Sequence, residues 1–279
     1  NGSEWKVRTP RRDDSTFFAV KDAKKLANVT FDGRVSPSFL HRMVQSLNLL
    51  PFALDSNFAS IAIPARKNSA GEWQILSVAQ IRTEGMTQTA RRFQQIDQAM
   101  ADDGLVSSLA AKINERNKLV LQVFPVKGFF VFNGAGGGIA CAGCLPIEGN
   151  ADIVIDQTLY WKIVQTEQEA WYRVGLMNSD TLTEAIRAFN PSGEFGERHL
   201  HTLPNRVIPA FDPTVESHIS IAKLAQELGA IAEPLLCSDQ RLSDPRKPVA
   251  VRRKTLRKLL KDMPQISLLE DFCASALLC

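Results

Sequence analysis

The sequence predicts an α+β protein, a β-rich mixed-sheet domain with flanking helices and a helical C-terminal segment. Three observations carry that prediction. The region from Phe17 to Ile81 reads as short strands and turns. Thr166-Glu-Gln-Glu169 then forms a capping box, in which hydroxyl and carboxylate satisfy each other's orphan amides at a helix start. The segments after Ser217 read as helices, so strands precede helices instead of alternating with them. The expected division is an α+β domain over 1–212 and a helical segment over 213–279.

Each element follows from its pattern. Ser60 to Pro64 reads as a strand stopped by proline, Lys67 to Glu72 as a hairpin turn and Trp73 to Val78 as the return strand. Thr87 to Met100 is helical, and Leu105, Leu109 and Ile113 repeat at helical spacing beyond the Asp102-Asp103-Gly104 break. Leu119 to Phe124 and Phe129 to Phe132 are β-rich runs, and Ile153 to Ile155 and Leu159 to Val164 are further short strands. The helix opened by Thr166 runs through Trp171, Val174 and Met177. Asn178-Ser179-Asp180 breaks it and caps a second helix that runs to Phe189 and ends at Asn190-Pro-Ser-Gly193. Glu194 to Pro213 reads as extended. Ser217 to Ala232 is an amphipathic helix with Ile221, Ala225 and Leu228 on one face, Gln240 to Pro248 a polar linker, and Val249 to Leu260 a basic helix.

Composition bounds the function. The 279 residues are 44% hydrophobic and 23% charged, ordinary for a globular chain. No run of about 18 apolar residues exists, so no membrane-spanning helix is expected. Glu4 to Asp14 is charged, unlike a secretory signal, and with five cysteines this predicts a reducing, cytoplasmic setting. A chain without an initiator methionine is expected to be part of something longer. The net charge of +3 says little, but the cations cluster in Lys6 to Arg12 and in Arg246 to Lys261. For the second cluster a solvated helix face is the first reading and phosphate contact the alternative. Trp5, Trp73, Trp161 and Trp171, with 15 phenylalanines, read as core more than as a stacking surface.

No catalytic constellation is complete. Phe132-Asn-Gly-Ala-Gly-Gly-Gly138 contains the Phe-x-Gly-x-Gly pattern of S-adenosylmethionine sites, which needs a strand before it and a helix after it. Ile139 to Ile147 holds Gly143 and Pro146 and is too short for that helix, so a flexible β-turn or a loop approaching a ligand backbone is the preferred reading. Cys141-Ala-Gly-Cys144 has metal-like spacing but lacks a second pair; even with His199 and His201 nearby in sequence, no metal site is expected and small buried thiols are. The Asn/Asp-Pro-Pro-aromatic tetrad of adenine methylation is absent, as are a Walker loop and a Gly-x-Ser-x-Gly elbow. Asp152, Asp156 and Lys162 lack the order of a nuclease motif.

Lys118 to Ala142, Ala151 to Ile186 and Gly193 to Pro213 resemble the C-terminal part of large adenine-N6 DNA methyltransferases of restriction-modification and phage-defence systems. Ser36 to Pro64 and Gln80 to Met100 fit the same pattern, so the resemblance covers most of the chain. It implies a target-recognition region that reads duplex DNA while a separate catalytic domain or subunit binds S-adenosylmethionine and flips the adenine. In that family a helix resembling Glu169 to Ser179 is followed by a proline-rich return strand resembling Arg198 to Pro213. The chain departs from the whole enzyme in lacking the cofactor domain and the tetrad.

Base readout needs Arg, Lys, Asn or Gln on reaching loops, and phosphate contact needs cations. The candidates are Arg82, Arg91 and Arg92 near the Gly85 turn, Lys127 and Asn133 around the glycine loop, and Arg187, Asn190, Arg198, His199 and Arg206 near the return segment. Two other functions compete with DNA reading. One is a non-catalytic assembly subunit of a defence complex, suggested by the amphipathic helix from Ser217 and the basic tail. The other is an S-adenosylmethionine-dependent enzyme using the Phe132 to Gly138 loop.

Overall fold

A computed structural model describes residues 16–18, 32–102, 104, 108–134, 140–187, 189, 192–193, 196–197, 203–244 and 246–277. The first stretch carries strands β1 (Thr16–Phe18), β2 (Asp32–Arg34), β3 (Leu40–Val44), β4 (Leu49–Leu50), β5 (Ala53–Leu54), β6 (Ala59–Ala62), β7 (Ala65–Lys67) and β8 (Trp73–Ile75). Helices α1 (Val78–Thr83), α2 (Thr87–Asp102) and α3 (Leu109–Ile113) follow. Then come β9 (Phe129–Gly134), β10 (Ala142–Pro146), β11 (Val154–Ile155), β12 (Leu159–Val164), α4 (Glu167–Asn178), α5 (Asp180–Arg187), β13 (Ser192–Gly193) and β14 (Gly196–Glu197). The last part is helical: α6 (Leu203–Val207), α7 (Glu216–Ser238), α8 (Gln240–Ser243), α9 (Val249–Leu260) and α10 (Pro264–Leu277). The protein is α+β, as its pattern predicts.

The chain folds into two compact units, each built from three segments. The first unit comprises Asn1–Val44, Phe58–Phe124 and Asp152–Ile155. Here β3 lies between antiparallel β6 and parallel β11, with Met43 opposite both Ala59 and Val154. Phe39, Ile81, Phe93, Ile96 and Met100 close one core over this region, and Ile61, Trp73 and Leu119 another. The second unit comprises Gln45–Asn57, Pro125–Ala151 and Asp156–Cys279. Its sheet is β10-β9-β12, antiparallel throughout, and α4 packs against both β9 and β10.

Helix α4 approaches α7 closely because Gly175 has no side chain. A Cβ there would sit 2.7 Å from Ile221 Cγ2 and 3.1 Å from the Ala225 Cβ. Ile221, Ala225 and Leu228 are fully buried in the unit's own core, so the apolar face of α7 is already covered. Of the two features that suggested an assembly subunit, the helix face is thus accounted for within the unit, and the basic tail is left.

Several elements depart from the sequence expectations. Leu119 to Phe124 is irregular, with Gln122 buried in it. The return strand from Trp73 stops at Ile75, because Ser77 caps a helix that begins at Val78; its hydroxyl accepts from the Gln80 amide at 3.3 Å. The stretch expected to be extended contains α6, and the polar linker contains α8, capped by the Asp239 carboxylate. Of the Thr166 capping box the hydroxyl half forms, at 3.2 Å to the Glu169 amide, while the Glu169 carboxylate accepts from Arg173 Nε at 3.0 Å. Among the described residues no helix is long and apolar enough to cross a membrane.

Candidate nucleic-acid interface

The β7–β8 hairpin and α1 of the first unit shape an open groove of about 570 Å³, lined by Arg66, Gln74, Leu76, Gln80, Thr83 and Glu84. The sequence sets this locally. Asn68 turns the hairpin by accepting from the Ala70 and Glu72 amides at 2.9 and 3.0 Å, and Gly71 takes φ +79°, a conformation that glycine adopts without strain. Gly85, at φ +80°, separates α1 from α2.

The polar wall is rigid. Arg66 donates through Nη1 and Nη2 to the two Glu84 oxygens at 2.7 and 2.8 Å, a fork that fixes both side chains. The Arg66 guanidinium lies 5.9 Å from the centre of the Phe39 ring, and Phe39 packs edge-on against Phe93. Gln80 is committed, since its amide oxygen accepts from both the Ser77 amide and hydroxyl. Gln74 is exposed on the facing strand. A carboxamide and a buttressed guanidinium on one concave wall are the groups that read base edges. Neither residue is among the sequence candidates: a Gln and an Arg in the two strands of a hairpin look like ordinary strand surface.

Arg82 and Arg91 are exposed at the rim of the α1–α2 pair. Arg82 Nη2 donates to Gln94 Oε1 at 2.8 Å, and Gln94 stands one turn beyond Arg91 on α2, so the structure brings these two candidates to one edge. Arg92 is a correction. It is 1% exposed, inside the core face formed by Thr89, Phe93, Ile96 and Met100, and a duplex cannot reach it. The helical spacing of those neighbours was the available signal, because a residue next to Phe93 and four before Ile96 turns inward.

In the second unit Lys127, Arg187 and Arg206 are exposed, and α5 packs on α6, which sets Arg187 and Arg206 on adjoining helices. Asn133 is another correction. It is 3% exposed within β9, paired with Ala142 on one side and Tyr160 on the other, so it is enclosed in the sheet. Asn190, Arg198 and His199 lie outside the described residues.

The motifs that resembled chemistry take structural places. Strand β9 leads into antiparallel β10, so the glycine-rich segment joins two strands of a hairpin. The helix N-terminus on which a phosphate- or cofactor-cradling loop depends does not follow it. Cys141 is buried beside β10 and Cys144 lies within that strand. Positions three apart in extended chain point to opposite faces, which separates the two sulfurs. Burial pushes the Cys144 thiol up to about 12 and the Cys141 thiol up as well.

The basic helix α9 is also divided. Arg252, 2% exposed, donates to Asp55 Oδ2 at 2.5 Å, to the Leu242 carbonyl at 2.6 Å and to the Leu47 carbonyl at 3.2 Å. Arg253 donates to the Leu49 and Ser46 carbonyls at 2.9 and 2.7 Å, and Arg257 to the carbonyls of Ala140 and Asn178. The expected solvated face is therefore divided: its arginines clamp backbone inside the unit, while Lys254, Lys258 and Lys261 are exposed.

No family model matches the chain, and no curated protein matches it. Among solved structures it is similar to the type IIL restriction-modification enzyme MmeI in complex with DNA, with a TM-score of 0.51 at 14% sequence identity. The match covers 86% of this chain and 28% of that one. The likeness is one of fold, shared across nearly the whole chain with under a third of a restriction-modification enzyme.

Proposed function

We propose that this chain is the DNA sequence-recognition part of a larger adenine-N6 DNA methyltransferase or restriction-modification protein, binding duplex DNA and presenting the target base to a separate catalytic domain. The observation that carries the reading is the fold shared with 28% of MmeI, an enzyme solved in complex with DNA. The segments that resemble adenine-N6 methyltransferases support it, and so does the groove of the first unit. In this reading Gln74 and Arg66 address base edges, while Arg82 and Arg91 at the rim meet phosphates. Lys127, Arg187 and Arg206 are the phosphate candidates of the second unit, with Asn190, Arg198 and His199 beside them in sequence. In this reading S-adenosylmethionine is held by the catalytic domain.

Selection of bound duplexes from a randomised pool tests the reading, with the chain alone and with the chain rejoined to its catalytic partner. A recovered consensus site, with affinity falling steeply as salt rises, is the expected result. If neither form retains any duplex at low salt, the chain is not a DNA reader.

A further inference from the structure

Segment Arg246 to Lys261 holds eight cations and no acidic residue. The second unit divides them by type. Arg252, Arg253 and Arg257 turn inward and donate to carbonyls and to Asp55. Lys254, Lys258 and Lys261 are all exposed. Their spacing of four and three residues sets them on one stripe. Leu256 and Leu260, buried at 0% and 1%, mark the opposite, core-facing side with Arg252. Arg246 and Arg241, elsewhere on this surface, are paired with Asp244 and Asp239; no ion pair is found for the three lysines among the described residues.

We infer that Lys254, Lys258 and Lys261 form a phosphate-binding track for duplex DNA, a contact that carries affinity but no sequence information. The inference rests on the DNA-reading function proposed above and adds a surface to it. Three lines of argument favour this occupant. An ammonium is a strongly hydrated point charge that suits phosphate without demanding fixed geometry, whereas the guanidinium forks of α9 suit the carbonyls they hold inside the unit. The stripe spans about 10 Å at about 1.5 Å per residue of helix, about three phosphate steps of a DNA strand at about 3.4 Å of axis each, so three ammonium groups lie within reach of the phosphates of one strand. The inward arginines lock α9 to its unit, so the stripe is presented on a fixed support.

The test is the salt dependence of binding to one nonspecific duplex, read by fluorescence anisotropy between about 50 and 200 mM salt. Replacing all three lysines by glutamine in the full chain should reduce the slope of log affinity against log salt by about 2.7, about 0.9 per phosphate contact. Lys→Arg at the same positions should restore it. A single Lys258→Gln change, which touches no core contact, should lower the slope by about 0.9 and guards against misfolding of the triple variant. The site consensus should stay as in the parent chain. A triple variant with the parent slope overturns the track while leaving DNA reading intact. A parent chain that binds no duplex overturns both, and a parent that prefers RNA or a protein partner through these lysines overturns the assignment to DNA.

Discussion

The side-chain amide of Gln122 closes on both backbone groups of Ile155, donating to its carbonyl at 2.9 Å and accepting from its amide at 2.8 Å. One side chain thus does for β11 what a neighbouring strand would do. The backbone carbonyl of Gln122 accepts from Trp73 Nε1 at 3.1 Å, which ties the irregular segment to the hairpin behind the groove. The prediction is that Gln122→Met, similar in volume, leaves two buried backbone groups unsatisfied at about 1–3 kcal/mol each. Urea denaturation should show a loss of about 2–6 kcal/mol, with faster hydrogen exchange at the Ile155 amide. Unchanged exchange at Ile155 would mean that the amide contributes nothing.

Arg252 and Asp55 make a second, separable prediction. Their side chains are 3% and 13% exposed, and the contact is 2.5 Å. Arg252→Met strands a carboxylate in a poorly solvated site, at an expected cost of about 3–5 kcal/mol. Adding Asp55→Leu should recover a large part of that loss, because the buried charge has gone. A single mutant as stable as the parent in chemical denaturation contradicts the pairing.

Alkaline pH should weaken the second unit. Burial pushes Cys144 and Cys273 from 9.0 to about 12, and burial pushes Tyr172 from 10.0 to about 12. These groups stay protonated in the folded chain while the unfolded chain releases their protons. The folded values are raised, so their contribution is whole below the unfolded values and is lost as pH rises from 9.0 toward about 12. Urea midpoints should therefore be level up to the unfolded thiol value and fall beyond it. Cys144→Ala should shallow the fall, and a slope identical to the parent's would show that this thiol is not the source. Native alkylation should modify Cys237, which is exposed, and spare Cys141 and Cys273, which are buried.

Groove and rim should separate in binding assays. Gln74→Ala or Arg66→Ala should relax discrimination at one base pair by about 1–3 kcal/mol and leave nonspecific affinity nearly unchanged. Arg82→Ala and Arg91→Ala should weaken all duplexes alike and lower the salt slope by about 0.9 each. Competition anisotropy with singly substituted duplexes measures both quantities. If the groove variants lose affinity evenly over every sequence, the groove does not read bases.

By itself the sequence determined the local elements whose signals are short-range. The cap at Thr166, the break at Ser179, the helix from Thr87, the hairpin at Asn68 and the strand from Phe129 all stand where a few neighbouring residues put them. It also determined that the glycine-rich segment would not lead into a crossover helix. Tertiary structure decided which polar residues face water. Arg92 and Asn133 look like surface groups in a linear reading, yet packing encloses them. Gln122 and Arg252 find partners 33 and 197 residues away, beyond any periodic signal. The same holds for the groove, because Arg66 and Glu84 meet only once the chain has passed through the hairpin and α1. Periodicity reports which face of an element is apolar, but what that face meets depends on distant segments, and so does the pairing of a buried charge.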